Sequence, residues 1–185
     1  MVPALGKIRR MPSRPQLNRL FIGYKMDDGL TLLHLPNKVP GTAMHEREDV
    51  RAEGEIQTVL RTMKAIALVG ASAKPWRESN GIMQYLLGIG FDVYPVNPLY
   101  TEVLGRRCYP NLYTIPVAID VVNVFRDPDK ILPLVQEAID VKAKTLWMQV
   151  GVINHHAAET ALEAGLRVIM DRCIAVEHRL LPKDK

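Results

Sequence analysis

Apolar and polar positions along the chain change their period several times, and those changes divide it into parts. Residues 1–41 show no sustained period. Pro3, Pro12, Pro15, Pro36 and Pro40 interrupt them, and apolar runs stay as short as Leu32-Leu33. Such a stretch buries too little apolar surface to offset the entropy of ordering it, so residues 1–43 read as a poorly ordered extension. From about Glu48 to Met63 the pattern predicts a helix, because Ile56, Val59, Leu60 and Met63 recur at i, i+3, i+4 and i+7 on one face. After it, short apolar runs alternate with longer amphipathic ones. Ala65–Val69, Phe91–Val96, Ile119–Phe125, Thr145–Val150 and Arg167–Met170 read as strands buried on both faces. The helices expected between them are Ser79–Ile89, Pro128–Asp140, Asn154–Ala164 and Ile174–Leu181. Ser79 or Asn80 would cap the first, and Gly90 and Gly165 suit helix ends. Pro128 suits a first helical turn.

Five strands alternating with helices imply an α/β protein with a doubly wound, Rossmann-like parallel sheet and right-handed crossovers. The domain is placed at residues 44–185, with its N-terminal helix packed against it. Two origins for residues 1–43 stay open. They can be a translated stretch ahead of a start at Met44, or a targeting segment, since Met1 to Met26 hold six basic residues and no acid.

Charge sharpens the division. The net charge is +4, and residues 1–64 carry 11 Lys or Arg against 7 Asp or Glu, which accounts for all of it. The remaining 121 residues hold 13 of each sign. A neutral folded domain argues against nucleic acid as the partner. No run of apolar residues is long enough to span a membrane. Cys108 and Cys173 stand far apart with no Cys-x-x-Cys spacing, which suits reduced thiols in the cytoplasm rather than a disulfide framework or a metal site.

In an open parallel sheet ligands bind beyond the carboxyl ends of the strands. The first such end reads Gly70-Ala71-Ser72-Ala73-Lys74-Pro75-Trp76-Arg77. Small residues there let a phosphate approach the backbone, the helix start favours anions, Lys74 and Arg77 add charge, and Ser72 and Ser79 add hydroxyl donors. A plain tight turn would have the same composition. The loop is not a Walker loop, and Ser72 and Pro75 stand where a G-x-G-x-x-G fingerprint needs glycine. The second strand ends in Asn97-Pro98 rather than in the acid that holds the ribose of NAD. Phe125-Arg126 ends the third strand, where an aromatic and a guanidinium can flank an adenine and neutralise a phosphate. Equally, Arg126 can pair with Asp127 or Asp129 on the surface. The fourth strand ends in Gln149-Val150-Gly151-Val152, again opening a helix start, and Trp147 within it reads as core.

Taken in order, Val69-Gly70-Ala71-Ser72, Arg77 with Ser79, Pro95-Val96-Asn97-Pro98, Val124-Phe125-Arg126, Trp147 with Gln149, Gly151 and Val152, and Met170-Asp171-Arg172-Cys173 form a set. That set resembles the small stand-alone CoA-binding proteins of bacteria and archaea, relatives of the amino-terminal domain of the succinyl-CoA synthetase alpha subunit. The resemblance runs from about Lys64 to Leu181. It implies a Rossmann-like domain that binds coenzyme A or an acyl-CoA, with the pyrophosphate near Gly70, Ala71, Ser72 and Arg77. The adenosine part would lie near Asn97, Pro98, Phe125 and Arg126, and Gln149 and Gly151 would join the site from the fourth strand. Arg106 and Arg107 either help hold the polyanion or form a basic surface turn. The synthetase works through a phosphorylated histidine in a second domain, and His155-His156 here fall at a polar helix start, so ligase activity is not expected.

Cys173 and His178 are the one candidate catalytic pair near a strand end, but five residues apart on a helix they do not share a face. The expectation is therefore a non-catalytic carrier, sensor or accessory module in the cytoplasm, with a protein partner or a homodimer left open. An NAD(P)-binding oxidoreductase or redox sensor is the first alternative. The second is an orphan alpha-type subunit of an acyl-CoA ligase.

Overall fold

The computed structural model describes residues 53–182; the expectations for residues 1–43 lie outside them. Residues 53–62 form helix α1, and Ile56, Val59, Leu60 and Met63 are all buried, as their spacing predicts. The chain then runs through β1 (Ala65–Val69), α2 (Glu78–Gly88), β2 (Asp92–Val96), β3 (Glu102–Val103) and β4 (Arg106–Arg107). It continues through β5 (Val121–Val124), α3 (Leu132–Asp140), β6 (Thr145–Met148), α4 (His155–Glu163), β7 (Arg167–Ile169) and α5 (Ile174–Arg179).

Five strands pair in the order β2-β1-β5-β6-β7, all parallel. From β1 the chain winds out to β2 at one edge, then returns past β1 to β5, β6 and β7. Its direction of winding therefore reverses between β1 and β5. The period-2 alternation of each strand sorts its side chains into two cores. Ile66, Leu68, Val121, Trp147 and Ile169 face α1, α2 and α5, where Ile56, Met83, Leu86 and Ile174 meet them. Ala67, Val69, Val122, Val124, Leu146 and Met148 face α3 and α4, where Leu134, Val135, Ala138 and Ala161 meet them. Burial on both faces is why the central strands read as unbroken apolar runs.

Trp147 is the largest fully buried side chain, and its indole N–H donates to the Arg172 carbonyl at 2.7 Å, tying β6 to the segment entering α5. At the opposite end of the sheet one Asp120 carboxylate oxygen accepts from the N–H groups of Lys64 and Ala65 at 2.8 and 3.0 Å. Its other oxygen meets the Lys144 ammonium at 2.7 Å. Burial opposes this charge, but the ammonium and the two N–H groups outweigh it and hold the carboxyl below its ordinary range.

Two local expectations are corrected. Helix α2 starts one residue early, with Arg77 as N-cap and no side-chain cap, because Ser79 and Asn80 are buried and the Asn80 amide donates instead to the Ser72 carbonyl at 2.8 Å. The segment from Pro128 is a 3-10 turn (Pro128–Lys130), capped by Asp127, ahead of α3. The β3–β4 hairpin was not foreseen. It turns through Leu104 and Gly105, both at positive φ, and Tyr109 beyond it bridges to Val96, covering the outer edge of β2.

Candidate functional site

The reversal between β1 and β5 fixes where the loops part, and a cavity of about 990 Å³ lies there. Gly70 closes its floor. With φ at +86° it turns the chain out of β1, and a Cβ on it would lie 2.1 Å from the Phe125 carbonyl oxygen. Only glycine lets the loops after β1 and β5 run this close together. Beyond Gly70 the loop is held by side chains rather than by helix or sheet. The Asn97 amide donates to the Ala71 carbonyl at 2.7 Å and accepts from the Leu99 N–H at 3.0 Å, joining the β1 and β2 loops. The Ser72 hydroxyl accepts from the Lys74 N–H at 3.2 Å. The N–H groups of Ala71, Ser72 and Ala73 find no protein acceptor among the described residues.

Nine of the twelve sequence-chosen residues line this cavity: Gly70, Ser72, Lys74, Arg77, Ser79, Asn97, Pro98, Phe125 and Arg126. The other three do not. Ala71 is fully buried against the α2 side of the sheet. Gln149 is buried as well, and its amide donates to the Asn123 side chain at 2.7 Å, inside the sheet. Gly151, at φ +78°, donates its N–H to Asp171 Oδ1 at 2.8 Å, which ties the β6 and β7 loops together. Arg106 and Arg107 also stay out of the cavity, and the Arg107 guanidinium lies 5.3 Å over the Tyr109 ring.

Sequence reasoning missed Trp76, Leu99, Tyr100, Lys130 and Val150 among the lining residues. Trp76 and Leu99 are 76% and 83% exposed, so the mouth carries large apolar groups in open water. The Lys74 ammonium lies 5.9 Å from the Trp76 ring centre. Lys130 sits one turn past Arg126 and pairs loosely with Asp127 at 3.5 Å. Four cations (Lys74, Arg77, Arg126, Lys130) thus face two carboxylates (Glu78, Asp127), and the lining is net basic although the domain is neutral.

Among the described residues, no His or Cys side chain lines this cavity. His178 spends its Nδ1 on the Tyr85 hydroxyl at 2.9 Å, between the Tyr85 and Phe91 rings, and Cys173 stands at the N-cap of α5. Burial lowers the pKa of that imidazole. The Cys108 thiol is pushed up by burial, despite hydrogen bonding with the backbone of Asn97 and Tyr109. Among the described residues no three His, Cys, Asp or Glu side chains cluster to hold a metal, and no helix is long and apolar enough to cross a membrane.

A doubly wound sheet with a cation-lined cavity at its point of reversal defines a Rossmann-like α/β domain of the kind that takes its ligand between loops. Comparison with known proteins places it further: residues 64–179 match the family described as CoA binding domain, and the chain belongs to that family. It is 36% identical over 127 residues to an uncharacterized protein, YneT, of Bacillus subtilis (strain 168), covering 69% of this chain and 94% of that one. It is 28% identical over 124 residues to an ADP-forming acetate–CoA ligase of Archaeoglobus fulgidus, covering 61% of this chain but only 18% of the ligase. Among solved structures, a hypothetical protein from Pyrococcus horikoshii OT3 superposes with a TM-score of 0.67 at 47% identity, over 69% of this chain and 89% of that one.

Proposed function

We propose that this protein binds coenzyme A, free or acylated, in the cavity between the β1, β2 and β5 loops, and acts in the cytoplasm as a carrier, sensor or accessory module without chemistry of its own. The observation that carries this reading is that the family match over residues 64–179 falls on the very loops that line the cavity. The chain's own groups suit the ligand. Gly70 lines the cavity, and the N–H groups of Ala71, Ser72 and Ala73 beside it can donate to a phosphate. Lys74 and Arg77 supply charge for the pyrophosphate, and the Phe125 ring with Pro98 supplies apolar surface for the adenine. Asn97 acts as a positioning residue, since its amide is used in joining two loops. A second reading, an alpha-type subunit of an acyl-CoA ligase, draws support from the likeness to the acetate–CoA ligase. It keeps the same ligand and adds a partner chain.

Thermal unfolding with coenzyme A, acetyl-CoA, NAD, NADP and ATP tests the reading. A ligand at about 100 times its dissociation constant adds about 2.7 kcal/mol to the folded state, a rise of several degrees for a domain this size. The expected result is a rise with the CoA species alone, lost in Arg77→Ala. A rise with NAD or NADP and none with coenzyme A would make the protein a dinucleotide binder instead.

A further inference from the structure

Among the described residues, three other than glycine stand at positive φ, and two of them have local reasons. Leu104 turns the β3–β4 hairpin, and Lys142 lies one residue past the C-cap of α3. Asp171, at φ +58°, stands two residues beyond β7, where neither a hairpin nor a helix end asks for left-handed backbone. That conformation disfavours any residue with a side chain and persists where the surrounding structure makes use of it. Its use here is visible. Oδ1 of Asp171 accepts from the Gly151 N–H at 2.8 Å, reaching across from the β7 loop to the β6 loop. The base from which it reaches is fixed to β6. The Arg172 carbonyl accepts from the Trp147 indole N–H at 2.7 Å, and the Arg172 N–H donates to the Met148 carbonyl at 3.4 Å.

The loop that Asp171 holds carries Val150 and Val152, the two residues beyond β6 that line the cavity. Val150 is 62% exposed, so packing does not fix it. Before the loop, Gln149 is tied to Asn123 inside the sheet. After it, Asn154 caps α4 and donates its amide to the Pro128 carbonyl at 2.8 Å. Between these anchors, the bond from Gly151 to Asp171 is the one side-chain tie on residues 150–153 among the described residues.

Resting on the proposed coenzyme A reading, we infer that Asp171 is a positioning residue for the ligand. It does not line the cavity; its carboxylate fixes Gly151, and with it the wall made by Val150 and Val152, before the ligand arrives. A loop already ordered loses less freedom on binding, so the ligand is held more tightly. The same residue burdens the fold, because left-handed backbone suits glycine better than aspartate. Affinity and stability therefore pull in opposite directions at position 171, and that opposition separates positioning from plain structural support.

The experiment compares Asp171→Gly and Asp171→Asn with the wild type in the full chain. Three quantities are read: coenzyme A affinity by calorimetric titration, Tm without ligand, and hydrogen exchange at the Gly151 amide by NMR. Asp171→Gly loses the acceptor but relieves the backbone, so its Tm should stay within about 4 °C of the wild type. Its affinity should fall by about five- to tenfold, and its Gly151 amide should exchange faster. Asp171→Asn keeps an acceptor oxygen and tolerates the left-handed backbone, so it should restore affinity to within about twofold and slow the exchange again. Undiminished affinity in Asp171→Gly would overturn the inference, as would a Gly151 amide that exchanges equally fast in the wild type. An Asn variant as weak as the Gly variant would overturn the assignment to the hydrogen bond, and a larger fall in Tm for Asp171→Gly would make the residue a prop of the whole fold instead. In each of these cases the proposed function stands. A wild type that does not bind coenzyme A would overturn the proposed function and this inference together.

Discussion

Replacing Gly70 by alanine tests the geometry on which the cavity depends. The new Cβ would stand 2.1 Å from the Phe125 carbonyl oxygen and 2.9 Å from its carbon, on a backbone at φ +86°. Left-handed backbone costs a residue with a side chain about 1–2 kcal/mol. A carbon–oxygen contact near 2.1 Å is about 1 Å too short, and overpacking of that order costs about 1–3 kcal/mol. Since the obstacle is backbone rather than a flexible side chain, the loops after β1 and β5 must part. The sum is about 2–5 kcal/mol, which lowers Tm by about 4–20 °C for a chain this long. Gly81→Ala is the matched control, because Gly81 lies exposed inside α2 with nothing within 4 Å of its Cβ direction. It should stabilise by about 0.5–1 kcal/mol. Differential scanning calorimetry of both variants beside the wild type reads the effect. If Gly70→Ala melts within a degree of the wild type, the β1 and β5 loops do not abut as described and the floor of the cavity is wrong.

Three further outcomes follow from the packing. Trp147→Phe shrinks a fully buried side chain and removes the indole donor to the half-buried Arg172 carbonyl, and should cost about 2–4 kcal/mol in urea unfolding at neutral pH. The folded Asp120 carboxyl holds its proton less tightly than in the unfolded chain, so its contribution is present above the ordinary Asp pKa and is lost as pH falls through the lower folded value. The stability difference between wild type and Asp120→Asn should therefore shrink on going from about pH 6 to about pH 3. His178, with its pKa lowered by burial, stabilises the fold above the ordinary imidazole pKa and ceases to do so as pH falls through its lower folded value. The wild type should lose stability from about pH 7.5 downward through about pH 5.5, and His178→Gln should show a flatter profile there.

The sheet was legible in the chain because its strands are buried on both faces, which leaves runs such as Ala65–Val69 and Val121–Val124 with almost no polar residue. Helix α1 was legible because four apolar residues at helical spacing face one core. The β3–β4 hairpin was not, since Glu102-Val103 and Arg106-Arg107 are too short to show alternation and are held by the turn and by the Tyr109 bridge to Val96. Reading strand ends picked out Gly70, Lys74, Arg77 and Arg126, which line the cavity. Gln149, chosen in the same way, lies off the cavity lining, because a strand end also has an inward direction and this amide points to Asn123. The same reading fell short at Trp76 and Lys130, which stand several residues beyond their strands where no period marks the side they face. The cap of α2 was misplaced for a related reason: Asn80 looked like a cap by type but supports the Ser72 carbonyl from below.

The most direct test of the account is isothermal titration of the full chain with coenzyme A, with NAD titrated in parallel. The account predicts saturable binding of coenzyme A with one site per chain, abolished or strongly weakened in Lys74→Ala/Arg77→Ala, and no binding of NAD. Saturable binding of NAD with none of coenzyme A, or coenzyme A binding that the double variant leaves untouched, would contradict it.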